Sequence, residues 1–285
     1  MTYTTHHQME ILFFCPRWGS ASIPWAEFAL QVKEAGYDGI ETDIPSDVRE
    51  RDELMAALEE NELLLIAQHW ETVDPLFESH LDEYAGRIAF LASVRPLFIN
   101  SQTGKDYFSF RENEWLLRSA HATYAALGVP VYHETHRGKF SFAAHITKDF
   151  LEQIPGLELT LDISHWCAVA ESLLEDQQEA VLAAIHRTRH IHARIGHTQG
   201  PQATDPRGSE WHNALQFHLD CWDKVVELNQ QKGTPFLTIT TEFGPAPYMM
   251  HHPLTGEPIA DQWELNVWMK EMLTERYIKN KVHIA

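Results

Sequence analysis

Short apolar runs alternate with longer amphipathic stretches along the chain. The first run, Glu10–Cys15, is followed by a helical pattern over Pro24–Ala35 that Pro24 opens and Gly36 closes. Asp38–Asp43 then leads to a helix over Val48–Glu60, and Leu63–His69 to one over Leu76–Val94. Pro96–Ser101 leads to a helix over Glu112–Leu127, ended by Gly128. The second half repeats the alternation. Val129–Glu134 precedes a helix over Phe142–Ile154, and Leu157–Asp162 one over Val169–His186. His190–Ile195 precedes a helix over Glu210–Gln231, and Phe236–Phe243 one over Asp261–Lys279.

Eight strand-plus-helix units predict an α/β protein with right-handed crossovers and a parallel sheet. At 285 residues the chain suits a (β/α)8 TIM barrel, which typically needs about 250. A doubly wound open sheet is the competing arrangement. It would carry a glycine-rich phosphate turn after an early strand, and neither GxGxxG nor GxxxxGK[ST] occurs. A single domain over residues 1–285 is expected, with residues 1–9 as a polar tail. The longest irregular segments, Gly196–Ser209 and Gly244–Ala260, each follow a strand directly. In a barrel such loops lie at the C-terminal face, where active sites are built.

Composition narrows the function. With 44% apolar and 22% charged residues the chain is an ordinary globular protein. Its 22 Lys+Arg against 41 Asp+Glu give a formal charge of −19, which repels phosphate backbones and argues against a nucleic-acid partner. No apolar run is long enough to cross a bilayer, and the polar start lacks the pattern of a secretory signal. The three cysteines are scattered and read as reduced thiols. A cytoplasmic protein is therefore expected. Barrels of this kind commonly pair, which keeps a homo-oligomer in view.

Eighteen histidines are present, several beside carboxylates. Four strands end on such groups: Val131-Tyr-His-Glu134, Leu161-Asp162, His190-Ile-His192 and Thr240-Thr-Glu242. Singly, each has a bland explanation. Glu134 and Glu242 fit solvated loop positions, Asp162 fits a helix cap, and one of His190 and His192 fits a structural histidine. A barrel, however, brings Glu134, Asp162, His192 and Glu242 together at its axis. Three carboxylates crowded there repel one another. One divalent metal ion (Mn²⁺, Mg²⁺, Co²⁺ or Zn²⁺) resolves that conflict and suits the mixed oxygen and nitrogen donors.

At this point the chain resembles the xylose-isomerase-like TIM-barrel superfamily of sugar isomerases and epimerases. The resemblance spans nearly the whole chain. It rests on Ala35-Gly-Tyr-Asp-Gly-Ile-Glu41, His133-Glu134, Leu161-Asp-Ile-Ser-His165, His190-Ile-His192 and Thr241-Glu242-Phe243. The segment His190–Gln202, with Asp205-Pro-Arg207, is similar to a bacterial subgroup of it. The resemblance implies metal ligands at Glu134, Asp162, His192 and Glu242, and a substrate hydroxyl against His165.

The chemistry follows from the residue types. Isomerising or epimerising beside a carbonyl requires removal of an α proton. A divalent metal stabilises the resulting enediolate as a Lewis acid, and two carboxylates take and return the proton. Glu134 and Glu242 are the candidate pair, serving also as ligands; a hydride shift is the mechanistic variant. Arg194 shares the strand face of His192 and is a candidate for substrate contact. His69 and Trp70, at the end of the third strand, and Trp18, after the first, are candidates to line a sugar pocket. His136 and Arg137 are candidates for an anionic group. Gln202, Asp205, Arg207 and, more weakly, His197 lie in a loop that suits a lid or a subunit contact, and Arg207 is also a candidate for substrate binding. The pairs His6-His7 and His251-His252 read as incidental.

The expected function is a metal-dependent isomerase or epimerase acting on a small sugar, polyol or related polyhydroxy carbonyl compound. Alternatives are an inosose-type polyol dehydratase of the same fold, an apurinic-endonuclease-like hydrolase with three zinc ions, and a non-catalytic sugar-binding barrel. The nuclease pattern departs after the seventh strand, where Asp-x-His is absent, and at Ile99-Asn-Ser-Gln102, which lacks a histidine.

Overall fold

The computed structural model describes residues 9–279. Its eight strands are β1 (Glu10–Pro16), β2 (Gly39–Thr42), β3 (Leu64–His69), β4 (Ile99–Ser101), β5 (Val131–Glu134), β6 (Leu159–Leu161), β7 (Thr188–His192) and β8 (Phe236–Thr240). They pair in parallel in chain order, and β8 closes on β1 through the register Leu12↔Thr238 and Phe14↔Thr240. The structure is thus the closed (β/α)8 barrel expected from the alternation.

The helices are α1 (Trp25–Glu34), α2 (Val48–Glu60), α3 (Phe77–Ser93), α4 (Phe110–Leu127), α5 (Ala144–Gln153), α6 (Ser164–Ala170), α7 (Gln178–Ile185), α8 (His212–Gln231) and α9 (Gln262–Thr274). Their boundaries have local causes. Asp47 and Asp261 accept the N3 backbone N–H of α2 and α9, and Ser109 with Glu112 forms a capping box on α4. One expectation fails. The predicted helix over Val169–His186 is two helices, α6 and α7. Glu171 ends α6 in the left-handed region at φ 50°, and Leu174 follows at φ 60°. The Ser172 hydroxyl accepts the Leu174 N–H at 3.1 Å, a local bond that competes with helix continuation. The helix therefore begins at Ser164, directly after β6. The predicted last helix likewise relaxes into a π-helical turn over Glu275–Lys279.

The strands separate two packed regions. Outward positions such as Ile40, Ala67, Ile99, Ile191 and Ile239 pack against the helices. Inward, Phe14, Ile66 and Phe98 form a fully buried plug with Leu12 and Tyr132 beside it. Two residues further along the same strands, period-two alternation puts Gln68, Asn100 and Glu134 on that inner face. The lower barrel is thus apolar and its upper mouth polar. Residues 1–8, including His6 and His7, lie outside the described residues. Met9, assigned by its sequence to the polar tail, is buried. Among the described residues no helix is long and apolar enough to cross a membrane.

Gly39 shows how tightly the wall is built. A Cβ there would lie 2.3 Å from the Phe14 ring and 2.5 Å from the Leu64 carbonyl. Gly39→Ala is expected to lower stability by about 1–3 kcal/mol, the usual cost of overpacking. Urea unfolding checks this, and an unchanged midpoint would contradict it.

Candidate metal centre and active site

Four strand ends deliver the site. Glu134 closes β5 and His192 closes β7; Asp162 follows β6, and Glu242 lies two residues past β8. All four are buried, and one ligand atom from each lies within 4.8 Å of the others. His192 Nδ1 stands 3.0 Å from Glu242 Oε2 and 3.8 Å from Glu134 Oε1. Neither that nitrogen nor that oxygen completes a hydrogen bond, although both are buried. Unpartnered buried donors and acceptors are rare and costly, so converging ones point to a group that joins them.

The electrostatics agree. Burial, offset in part by His192 and reinforced by Glu242 and Asp162, pushes Glu134 up to about 8. Burial also outweighs Arg194 at Asp162 and raises it. At His192 burial opposes the charge, but Glu242, Glu41 and Glu134 prevail and push it well above the usual imidazole range. The mouth of the barrel draws positive charge. A divalent cation would supply it, and three carboxylates with one imidazole suit such an ion. The residues present therefore fit a metal.

The turn after β6 is built around Asp162. Its Oδ1 accepts the Ser164 N–H at 3.0 Å, so the capping role and the site role coexist on one carboxylate. Its Oδ2 accepts from the Arg194 guanidinium, whose Nη2 also lies 2.9 Å from His165 Nε2 and 3.5 Å from Glu242 Oε2. Arg194 is buried, and its charge-assisted contacts span the carboxylates of Asp162 and Glu242.

A cavity of about 450 Å³ opens over these groups. Glu134, Glu242, Arg194, His136, Trp18 and Trp70 line it, as sequence predicts; Trp70 is half exposed there. His165 stands behind His136, their rings 3.9 Å apart. Burial pushes the His136 imidazole down to about 3 and His165 well below its usual range, so both are neutral.

Other predicted residues lie elsewhere. His69 is fully buried, but on the outer side of β3. Its ring nitrogens bond Ser101 at 3.1 Å and Thr72 at 2.8 Å, and its ring meets Tyr84 of α3. The inner position is its neighbour Gln68, which lines the cavity and reaches Glu242 at 3.5 Å. Arg207 is exposed and paired with Asp205 at 2.7 Å, and is not part of the cavity lining. Gln202 clamps two loops by bonding the N–H and carbonyl of Gly244. His197 packs on Trp211, and His251 and His252 sit on an exposed hairpin. Arg137 reaches the rim, donating to the Tyr248 hydroxyl at 3.1 Å.

Sequence reasoning missed Glu41, Asn100, Gln102 and Tyr248. Gln102 lines the cavity and reaches Glu134 at 3.4 Å. Tyr248 stands edge-on to Trp18 at 5.0 Å, with the Arg194 guanidinium 4.9 Å beneath it. Gly244 makes this corner possible, since a Cβ there would lie 2.2 Å from the Trp18 ring. Polar residues at inner strand positions were the available signal for Glu41 and Asn100. Tyr248 lies in a loop and carried none.

No family model and no curated protein sequence matches the chain. Solved structures do. The 3-keto-D-glucoside 4-epimerase of E. coli superposes with a TM-score of 0.61 at 18% identity, over 94% of this chain and 100% of that one. A xylose isomerase-like TIM-barrel protein from Mycobacterium smegmatis, in complex with magnesium, gives 0.57 at 12% identity over 96% and 99%. A probable 3-DHS dehydratase from Bacillus anthracis gives 0.57 at 15% over 94% and 100%. The chain shares the TIM-barrel fold of these proteins.

Ligating carboxylates must be deprotonated, and Glu134 holds its proton up to about pH 8. Metal affinity is therefore expected to rise between pH 6 and 8, with proton release on binding. Calorimetry in buffers of different ionisation enthalpy measures both; pH-independent affinity would contradict this electrostatic account. Asp162→Ala should lower bound metal at least tenfold, and unchanged stoichiometry would remove Asp162 from the ligand set.

Proposed function

We propose that the protein is a metal-dependent isomerase or epimerase acting on a sugar or related polyhydroxy carbonyl compound. The observation that carries this reading is the placement of two carboxylates. Glu134 and Glu242 face one cavity from β5 and the end of β8, with His192 between them. A bound divalent ion would be held by Glu134, Asp162, His192 and Glu242 and would supply Lewis-acid stabilisation of developing oxyanion charge.

The chain's own residues have separable tasks. One of the two glutamates removes the proton beside the carbonyl, leaving an enediolate, and a proton is returned to the neighbouring carbon or to the opposite face. The Arg194 guanidinium keeps Asp162 and Glu242 in place and presents positive charge to the cavity floor. The neutral imidazole of His136 offers a hydrogen bond to a substrate hydroxyl. The amides of Gln68 and Gln102 sit beside the two glutamates and can read neighbouring hydroxyls. Trp18, Trp70 and Tyr248 supply apolar walls for the C–H face of a sugar.

A dehydratase of the same fold begins with the same proton abstraction and differs in losing water afterwards. The trinuclear nuclease reading loses support, because His69 faces α3 rather than the mouth.

Glu242→Gln is expected to keep the fold, to weaken metal binding and, at saturating metal, to slow turnover at least a hundredfold, the scale of general acid–base catalysis. The assay is solvent-deuterium incorporation across free ketoses, aldoses and inososes with metal-loaded protein. Deuterium entering beside a carbonyl supports the reading. Full activity in Glu242→Gln would remove Glu242 from the pair.

A further inference from the structure

Below the four site residues lies a second layer with no opening to the cavity. Glu41, at the end of β2, is 2% exposed and does not line the pocket. Its carboxylate faces His192 across the barrel, with Oε1 and Oε2 at 3.0 and 3.1 Å from Nε2. Asn100 Nδ2 donates to Glu41 Oε1 at 2.8 Å, and Thr240 Oγ1 donates to Oε2. His190 Nε2 stands 3.2 Å from Oε2, while its Nδ1 is anchored on Thr238 at 2.7 and 3.0 Å.

We propose that Glu41 is a positioning residue for the metal centre: it takes the Nε2–H of His192 and so turns Nδ1 toward the cation.

An imidazole between a carboxylate and a metal gives its proton to the carboxylate side and its lone pair to the metal side. His192 has its Nε2 against Glu41 and its unpartnered Nδ1 against Glu242 and Glu134. A flip of the ring about Cβ–Cγ would put Cε1 where Nε2 stands and lose the Glu41 contacts. Glu41 also reaches a second ligand, since the Asn100 amide that binds it lies 3.1 Å from Glu134 Oε2. One buried carboxylate therefore orients His192 directly and Glu134 through Asn100. The support beneath it is rigid: the His190 ring packs 5.1 Å from Phe98 of the apolar plug.

The inference rests on the reading of Glu134, Asp162, His192 and Glu242 as metal ligands. The test uses the full chain, stripped of metal and titrated with Mn²⁺, as wild type and as Glu41→Gln. Glu41→Gln should weaken Mn²⁺ binding about 10–100-fold, the usual effect of removing such a partner. Equal affinity in the two proteins would overturn the positioning role and leave the ligand set standing. A wild type that binds no Mn²⁺ would overturn both. Because Glu41→Gln could fail to fold, a second measurement needs only the wild type. In protein labelled with ¹⁵N-histidine and loaded with ¹¹³Cd²⁺, the account predicts cadmium coupling to His192 Nδ1 and a slowly exchanging Nε2–H. Coupling to Nε2 would overturn it.

Discussion

Three carboxylates buried at one end of a barrel set the terms for everything around them. Charges that close in a water-poor site cost several kcal/mol each unless paired. The Arg194 guanidinium and the His192 ring lie within ion-pair distance of these acids. The remaining excess of negative charge is what makes a divalent ion the natural occupant. Burial, reinforced by the neighbouring carboxylates, raises Glu134, and the buried Nδ1 of His192 and Oε2 of Glu242 face one another without completed hydrogen bonds.

The fold answers this constraint in layers. Phe14, Ile66 and Phe98 fill the barrel below the acids. Above that plug, Glu41, Asn100, His190 and Thr240 form a polar layer whose bonds run upward into His192 and Glu134. Above the acids, Trp18, Trp70 and Tyr248 wall a cavity suited to a molecule with both apolar and hydroxylated faces. Gln202 ties the loops after β7 and β8 together at Gly244, which keeps the aromatic corner close to the acids. Strand ends carry the acids and His192, and loops carry the walls, the division of labour usual in such barrels.

Much of this was legible in the chain. The alternation of apolar runs and amphipathic stretches located all eight strands, because parallel strands buried on both faces leave uninterrupted apolar runs. The four converging groups, Glu134, Asp162, His192 and Glu242, were legible because each stands where such a run ends. Facing was harder to read. His69 and Trp70 looked equivalent at the end of β3, yet alternation from inward Ile66 places Gln68 inside and His69 outside. Glu41 passed as part of a fold signature, although a carboxylate at an inner strand position needs partners. The break between α6 and α7 depends on Ser172 and on two residues with positive φ, which periodicity does not encode. Tyr248 meets Arg137 across 111 positions of chain, a pairing that only the closed barrel creates.

The most direct test of the account is anomalous diffraction at the manganese edge from crystals grown with Mn²⁺. The account predicts one peak per chain, within bonding distance of Glu134, Asp162, His192 and Glu242, with His192 ligating through Nδ1. No peak there, or a peak between Glu134, His136 and His165 instead, would contradict it.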